Sequence, residues 1–415
     1  MSYEEVIVSI SLGNENICVG KLWFHLRGNR ESASFEYEKE WLKHPERFAL
    51  EPALTLTEGA FHNGSGVSIF GAIGDSAPDR WGRVLMRRAE IARAKRENIT
   101  PKTLCEIDYL LGVNDEARQG ALRFSVKPLN TFFLKQNDKG AIPPLISLPK
   151  LLSATERFLE DDESSEDLKL LLAPGSSLGG ARPKASVFDQ DGSLAIAKFS
   201  RKDDELNVVL WEAVALTLAK KAGIRVPSWR LEKILNKSVL IIKRFDRENK
   251  QRIPFLSAMS MLGAKDNEPH SYLEIAYALA QNGGAPEEDM AELWRRIIFT
   301  IMISNTDDHL RNHGFFYERH QGWRLSPVYD VNPTPIDIKP RVLTTSIDFD
   351  DTTASLETAM KISKDFRLSK ERAREIIKEV AFAVSQWKQV ALHLGLSKCE
   401  CDRMASAFEY EKETI

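Results

Sequence analysis

Eleven consecutive residues, Ser304-Asn305-Thr306-Asp307-Asp308-His309-Leu310-Arg311-Asn312-His313-Gly314, interrupt an otherwise apolar part of this 415-residue chain. An apolar stretch over 297–303 leads into them, and Phe315-Phe316-Tyr317 leads out. So many polar side chains cannot sit in a core unless each finds a partner. The helix expected over 292–304 must therefore stop here, and the chain must turn before it enters an aromatic strand. A chain of this length exceeds what one compact core accommodates, so two or three domains or lobes are expected.

Residues 1–127 read as a mixed α/β module. Apolar alternation in Val6-Ile7-Val8-Ser9-Ile10 and Cys18-Val19-Gly20-Lys21-Leu22 predicts a hairpin joined through Gly13 and Asn14. A helix is expected over 79–98, with Trp81, Val84, Leu85 and Ile91 on one side and arginines on the other. Residues 128–165, with Pro143-Pro144 and the acidic run Glu160-Asp161-Asp162-Glu163, read as a linker or surface segment, the acids being solvated. A second unit, 166–265, opens with strands over 184–188 and 193–199 around the turn Asp189-Gln190-Asp191-Gly192. A helix follows over 206–222, stopped by Gly223, and then strands over 226–231 and 238–245. Residues 266–415 are mostly helical, with one long helix over 370–394 closed by Gly395.

Asn312 follows Asp307 by five positions, the Asp-x4-Asn spacing of protein-kinase catalytic loops. That chemistry needs an anion to accept or orient a hydroxyl proton and a neutral oxygen to hold magnesium, both on one rigid turn. Here the histidine, His309, follows the aspartate instead of preceding it. A second strand then ends in Ser326-Pro327-Val328-Tyr329-Asp330, placing Asp330 as a further magnesium ligand. Upstream, Gly175-Ser176-Ser177-Leu178-Gly179-Gly180-Ala181-Arg182-Pro183-Lys184 is a small-residue loop whose backbone N–H groups suit phosphates. It matches neither of the two usual glycine-rich nucleotide motifs. Ala195-Ile196-Ala197-Lys198 puts a lysine on a strand, and Glu212 on the next helix could orient it. Lys243, Arg244 and Phe245 end an apolar strand where a kinase hinge meets adenine. Each feature has an ordinary structural alternative: a polar turn, a strand cap, a surface lysine, one charge on an amphipathic helix. Their order along the chain is the stronger argument.

A net charge of −3 leaves no global basic field for nucleic acid. The basic helix from Arg80 to Arg96 could touch a partner, DNA or, by default, water. The four cysteines, Cys18, Cys105, Cys399 and Cys401, lack zinc-finger spacing and fit a reducing cytosol. The acidic start MSYEEVIVSI does not read as a signal peptide. The apolar stretch over 297–303 falls well below the roughly 20 residues of a membrane span, so no membrane association is expected.

The sequence resembles the HipA family, the kinase toxins of bacterial toxin–antitoxin modules. The resemblance rests on Ser177-Leu178-Gly179-Gly180-Ala181-Arg182-Pro183-Lys184, Lys198, Lys243-Arg244-Phe245-Asp246-Arg247, the segment from Asn305 to Asn312, and Pro327-Val328-Tyr329-Asp330. It also includes Phe70-Gly71-Ala72-Ile73-Gly74-Asp75 and Gly120-Ala121-Leu122-Arg123 in the first module. It implies an α+β, two-lobed protein-kinase-like fold: a small mixed α/β N-terminal subdomain and mixed N-lobe, then a helical C-lobe. It implies ATP and Mg2+ as cofactors, Asp307 as catalytic aspartate, and Asn312 and Asp330 as metal ligands. Gly179, Gly180, Ala181, Lys198 and Glu212 would serve the phosphates, and Lys243, Arg244 and Phe245 would line adenine. Ser177, with Ser176 beside it, falls where family members autophosphorylate. Family members phosphorylate aminoacyl-tRNA synthetases, best known for the glutamyl enzyme, in the cytoplasm. They bind a HipB-like helix-turn-helix antitoxin and reach operator DNA mainly through it. A small-molecule kinase of similar fold, or a catalytically weak co-repressor scaffold, remains an alternative reading of the same residues.

Overall fold

In a computed structural model the described residues are 5–28, 30–64, 66–126, 142–175, 180–349 and 351–410. The chain forms two compact units, Met1–Asp203 with Glu232–Leu256, and Asp204–Leu231 with Ser257–Ile415. The first module and the strands that follow share one unit.

The first unit opens with an antiparallel sheet of β1 (Val6–Leu12), β2 (Glu15–Arg27), β3 (Arg30–Tyr37), β4 (Ala60–His62) and β5 (Leu122–Ser125), ordered β4-β3-β2-β1-β5. The hairpin turns at Gly13 and Asn14 as expected, with Leu12 opposite Glu15 and Gly13 at φ 63°. Gly20 is required by close approach, because a Cβ there would lie 2.6 Å from the Phe35 ring. Four helices accompany the sheet: α1 (Lys39–Lys43), α2 (Gly71–Gly74), α3 (Arg80–Glu97) and α4 (Glu106–Gly112).

Two helices, α5 (Leu148–Leu159) and α6 (Ser165–Gly175), replace much of the expected linker. Leu148, Leu151, Leu152 and Phe158 repeat at helical spacing and are buried with Trp81 and Leu85 of α3 and Leu168 and Leu171 of α6. This periodicity lay between the paired prolines and the acidic run, which dominated the sequence reading. Residues 127–141 lie outside the described ones. Nor is the acidic run merely solvated. Arg88 of α3 bonds Glu163 at 2.8 Å and also Asp161. Arg83 meets Glu106 through two 2.6 Å bonds, and Arg93 meets Glu90 and Glu97. Much of the basic face of α3 is thus paired within the chain. Ile91, expected on the apolar side, is 55% exposed.

A second sheet, ordered β6-β7-β9-β8, comprises β6 (Lys184–Phe188), β7 (Leu194–Phe199), β8 (Trp229–Ile234) and β9 (Lys237–Lys243). Leu235 and Asn236, both at positive φ, form the tight turn between β8 and β9. Ala185, Val187, Ala195, Ala197, Phe199, Val239 and Ile241 face α3, α5 and α6 in one core. A short hairpin, β10 (Arg247–Glu248) and β11 (Gln251–Arg252), and then β12 (Phe255–Ser257) lead out.

The second unit is mainly helical: α7 (Val208–Lys221), α8 (Ala258–Leu262), α9 (Tyr272–Asn282), α10 (Pro286–Met302), α11 (Leu356–Lys361), α12 (Lys370–Val384), α13 (Trp387–His393) and α14 (Lys398–Met404). Its strands are β13 (His270–Ser271), β14 (Gly314–Glu318), β15 (Gly322–Leu325) and β16 (Thr345–Ser346). Trp211 assigns α7 to this unit, meeting Trp387 at 6.3 Å and Phe408 at 6.1 Å. The helix expected over 370–394 is broken at Ser385, whose hydroxyl donates back to the Phe382 carbonyl at 2.8 Å. Gly395, at φ 93°, closes α13. Among the described residues no helix is long and apolar enough to cross a membrane.

Glu51 is buried, and its Oε2 accepts the Ala72 N–H of α2 at 2.5 Å. Burial pushes its pKa from 4.5 up to about 7. The folded state thus holds this proton more tightly than the unfolded chain, so stability falls as pH rises from 4.5 to about 7, and the loss persists above that. The cost at high pH is on the order of 3 kcal/mol. Glu51→Gln should raise Tm at pH 8 and do little at pH 4.5, as read by thermal melting. An equal effect at both pH values would contradict this assignment.

Candidate active site

The polar segment is a rigid loop. It begins after α10 at Ser304, whose φ of 52° turns the chain sharply. Ser304 Oγ donates to the Ala407 carbonyl at 2.9 Å, and Asn305 Oδ1 accepts the Asn332 N–H at 3.2 Å. The Thr306 carbonyl accepts from Thr344 Oγ1 at 2.9 Å and Lys339 Nζ at 3.2 Å. Beyond these anchors the Asp307 side chain is 79% exposed. One turn of 3-10 helix, Leu310–Asn312, brings the chain back. There Asn312 Nδ2 donates to the Asp307 carbonyl at 3.1 Å. That bond commits the amide nitrogen and leaves Oδ1 as the ligand atom.

The hairpin β14–β15 then pairs Phe315 with Leu325 and delivers Pro327 to Asp330. Tyr329 Oη donates to the Arg311 carbonyl at 2.7 Å, tying this segment to the loop. Asp330 adopts φ 56°, a left-handed conformation uncommon outside glycine and asparagine-like residues. The amide oxygen of Asn312 and the Asp330 carboxylate are hard oxygen donors, and that donor set fits magnesium.

The first unit carries the other candidate groups. Lys198 on β7 lies opposite Lys184 on β6 and Leu240 on β9. Strand alternation puts these three on one face, away from the α3–α5–α6 core. On that face the buried Ser186 hydroxyl has no hydrogen-bond partner among the described residues. Two adjacent lysines and a spare hydroxyl suit the phosphates of a nucleotide.

The remaining expected residues fall differently. Lys243 has the strand parity of Val239 and Ile241, so its side chain is not on the face of Lys198; it lies 3.5 Å from Asp191. Arg244 is 5% exposed, and its guanidinium is taken up by Asp246 at 2.8 Å and the Ala117 carbonyl at 2.5 Å. The Lys243 side chain thus points away from the Lys198 face, and the Arg244 guanidinium is a structural anchor. Phe245 meets Phe255 at 6.2 Å. Gly180, at φ 82°, accepts the Trp81 N–H at 3.3 Å, and Ala181 is exposed. Ser176, Ser177 and Gly179 lie outside the described residues. Glu212 is buried on α7 in the second unit, whereas Lys198 belongs to the first.

Two residues the sequence reading did not single out adjoin these groups. Lys339 Nζ lies 4.0 Å from Asp307 Oδ1, and nothing in Ile338-Lys339-Pro340 marks it. Asp246 accepts from Gly120 N–H and Arg247 Nη1, each at 2.8 Å, as well as from Arg244. Burial raises the proton affinity of Asp246, but Arg244 and Arg247 overcome this and hold it well below the usual carboxylate range.

These features define a protein of mixed α/β, kinase-like architecture. A family model described as the HipA-like C-terminal domain matches residues 176–387, just over half of the chain. The chain belongs to the HipA family. It is similar throughout to Shewanella oneidensis MR-1 HipA, solved with HipB and operator DNA, at TM-score 0.63 and 16% identity over 97% of this chain and 95% of that one. At that identity the likeness shows the fold. A Haemophilus influenzae protein named "Putative kinase" is 26% identical over 191 residues, which is 39% of this chain. A Sinorhizobium fredii protein with the same designation is 28% identical over 138 residues, or 30% of this chain. The matched stretches span 54% and 33% of those relatives' own lengths.

Removing Asp246 should take the carboxylate partner from buried Arg244 and from Arg247. Asp246→Ala should lose on the order of 3–5 kcal/mol in urea unfolding. A loss below about 1 kcal/mol, the range of an exposed ion pair, would contradict this anchoring role.

Proposed function

We propose that this chain is an ATP- and magnesium-dependent protein serine/threonine kinase, acting in the cytoplasm as the toxin of a HipA-like toxin–antitoxin module. The observation that carries the reading is the exposed Asp307 carboxylate on a loop closed by the Asn312 amide. A carboxylate so placed can accept or orient the proton of an attacking hydroxyl. Asn312 and Asp330 are the residues to hold magnesium, which when bound offsets the negative charge of the phosphates. Lys198, beside Lys184, supplies positive charge for the same phosphates, and buried Glu212 is the candidate to orient Lys198. Adenine would be met by the backbone of Lys243 to Phe245, since the first two side chains are engaged elsewhere. Phosphoryl transfer asks for little covalent help, so fixed position and charge suffice.

Ser177 or Ser176 is the proposed autophosphorylation site. Phosphate there adds about −1.5 to −2 charges at pH 7 and would repel nucleotide from the loop through Gly179, Gly180 and Ala181. The proposed substrate is an aminoacyl-tRNA synthetase, with the glutamyl enzyme tested first. The proposed partner is a HipB-like helix-turn-helix antitoxin that carries the kinase to operator DNA. The Shewanella HipA structure, solved with both, supports that partnership.

Purified protein, freed of phosphate, should take up label from ATP and magnesium on Ser176 or Ser177, as mapped by mass spectrometry. Asp307→Ala should slow the uptake by about 10²–10⁴-fold. A wild-type protein that binds ATP yet takes up no label would remove self-phosphorylation and favour a small-molecule substrate or a scaffold role.

A further inference from the structure

Asp307 points outward, Asn312 is buried, and the residues that follow each of them in the chain point inward and are tied together. Asp308 directly follows Asp307, and His313 directly follows Asn312. Asp308 is 6% exposed and His313 2%. Asp308 Oδ2 accepts from Tyr272 Oη at 2.6 Å and from Thr300 Oγ1 at 3.4 Å, and lies 3.2 Å from His313 Nε2. The Tyr272 and His313 rings meet edge-on at 5.6 Å. The loop is thus closed twice, outside by Asn312 Nδ2 on the Asp307 carbonyl and inside by Asp308 against His313.

Tyr272 is itself well fixed. It opens α9, capped by Ser271 and Glu274, and the preceding β13 runs parallel to β16. Thr345 of β16 donates to the Asp308 carbonyl at 2.6 Å. A helix start, a short strand pair and the loop therefore form one block within the second unit. Phosphoryl transfer depends on position, and about 1 Å of misplacement costs on the order of 10²-fold in rate.

We propose that Tyr272 and His313 are positioning residues: by gripping Asp308 from inside, they set the spacing and facing of Asp307 and Asn312. The proposal rests on the kinase reading, although the ordering of the loop is measurable without it. Neither residue touches substrate.

The test uses the full chain. Tyr272→Phe keeps the ring and removes the hydroxyl. Amide hydrogen exchange over 305–313, measured without nucleotide, should accelerate by roughly tenfold or more, as expected for losing a charge-assisted hydrogen bond. Label transfer from ATP should show kcat lowered by about 10–100-fold with the ATP KM changed less than about twofold. His313→Asn should give the same pattern. Tyr37→Phe is the control: Tyr37 is also buried, and its Oη donates to the Leu54 carbonyl at 2.8 Å in the first unit. It should lower Tm while leaving loop exchange and kcat as in the wild type. Unchanged exchange over 305–313 in Tyr272→Phe overturns the proposal whatever the activity. So does a fall in kcat that Tyr37→Phe reproduces. A wild type without transfer would sink the kinase reading, and the exchange result would still decide the role of Tyr272.

Discussion

A carboxylate shut away from water must be met by donors, and three such carboxylates fix the parts of this fold that carry its proposed chemistry. Asp246 gathers Arg244, Arg247 and the Gly120 N–H, which holds the end of β9 against the Gly120 loop. Asp289, fully buried in α10, accepts from Arg225 at 2.5 Å, Arg324 at 2.8 Å and the Leu325 N–H at 3.0 Å. It thereby sets the end of β15, from which the chain runs to Asp330. Asp308 collects Tyr272, Thr300 and His313 behind Asp307. Burial alone would raise its proton affinity, but His313 and the Tyr272 hydroxyl hold it below its ordinary value. A buried pair of this kind adds little net stability, yet losing one partner is expensive. Its effect is to make one arrangement of the loop far better than its neighbours.

Local signals were legible in the sequence where one element decided its own form. The hairpin through Gly13, the helix from Arg80 and the strands flanking Asp189 to Gly192 follow from alternation, helical period and turn residues. The loop from Ser304 to Gly314 was legible because a polar run cannot continue an apolar helix. What escaped depended on contacts distant in the chain. Leu148 to Phe158 is plainly amphipathic, but Pro143-Pro144 and the acidic run beside it resembled punctuation. The acids proved to be partners of Arg88, some seventy residues earlier.

The candidate site shows the same division. Asp307, Asn312 and Asp330 are set by spacing within one loop and one hairpin, so sequence could name them as candidates. Lys243 and Arg244 were read as hinge residues because an apolar strand ends there, and the sequence does not say where their side chains go. Parity turns the first away from Lys198, and Asp246 absorbs the second. Lys339 and Tyr272 reach the loop from distant segments through bonds that no local pattern encodes.

The proposed phosphoryl transfer depends on oxygen ligands at Asn312 and Asp330. Calorimetric titration of a nonhydrolysable ATP analogue, with and without magnesium, tests that dependence directly. The wild type should bind the analogue about tenfold or more tightly when magnesium is present, as charge neutralisation of the phosphates requires. A protein with both Asn312→Ala and Asp330→Ala should lose that difference and keep its fold. Equal affinity with and without magnesium in the wild type, or a magnesium effect that survives both substitutions, would contradict the account.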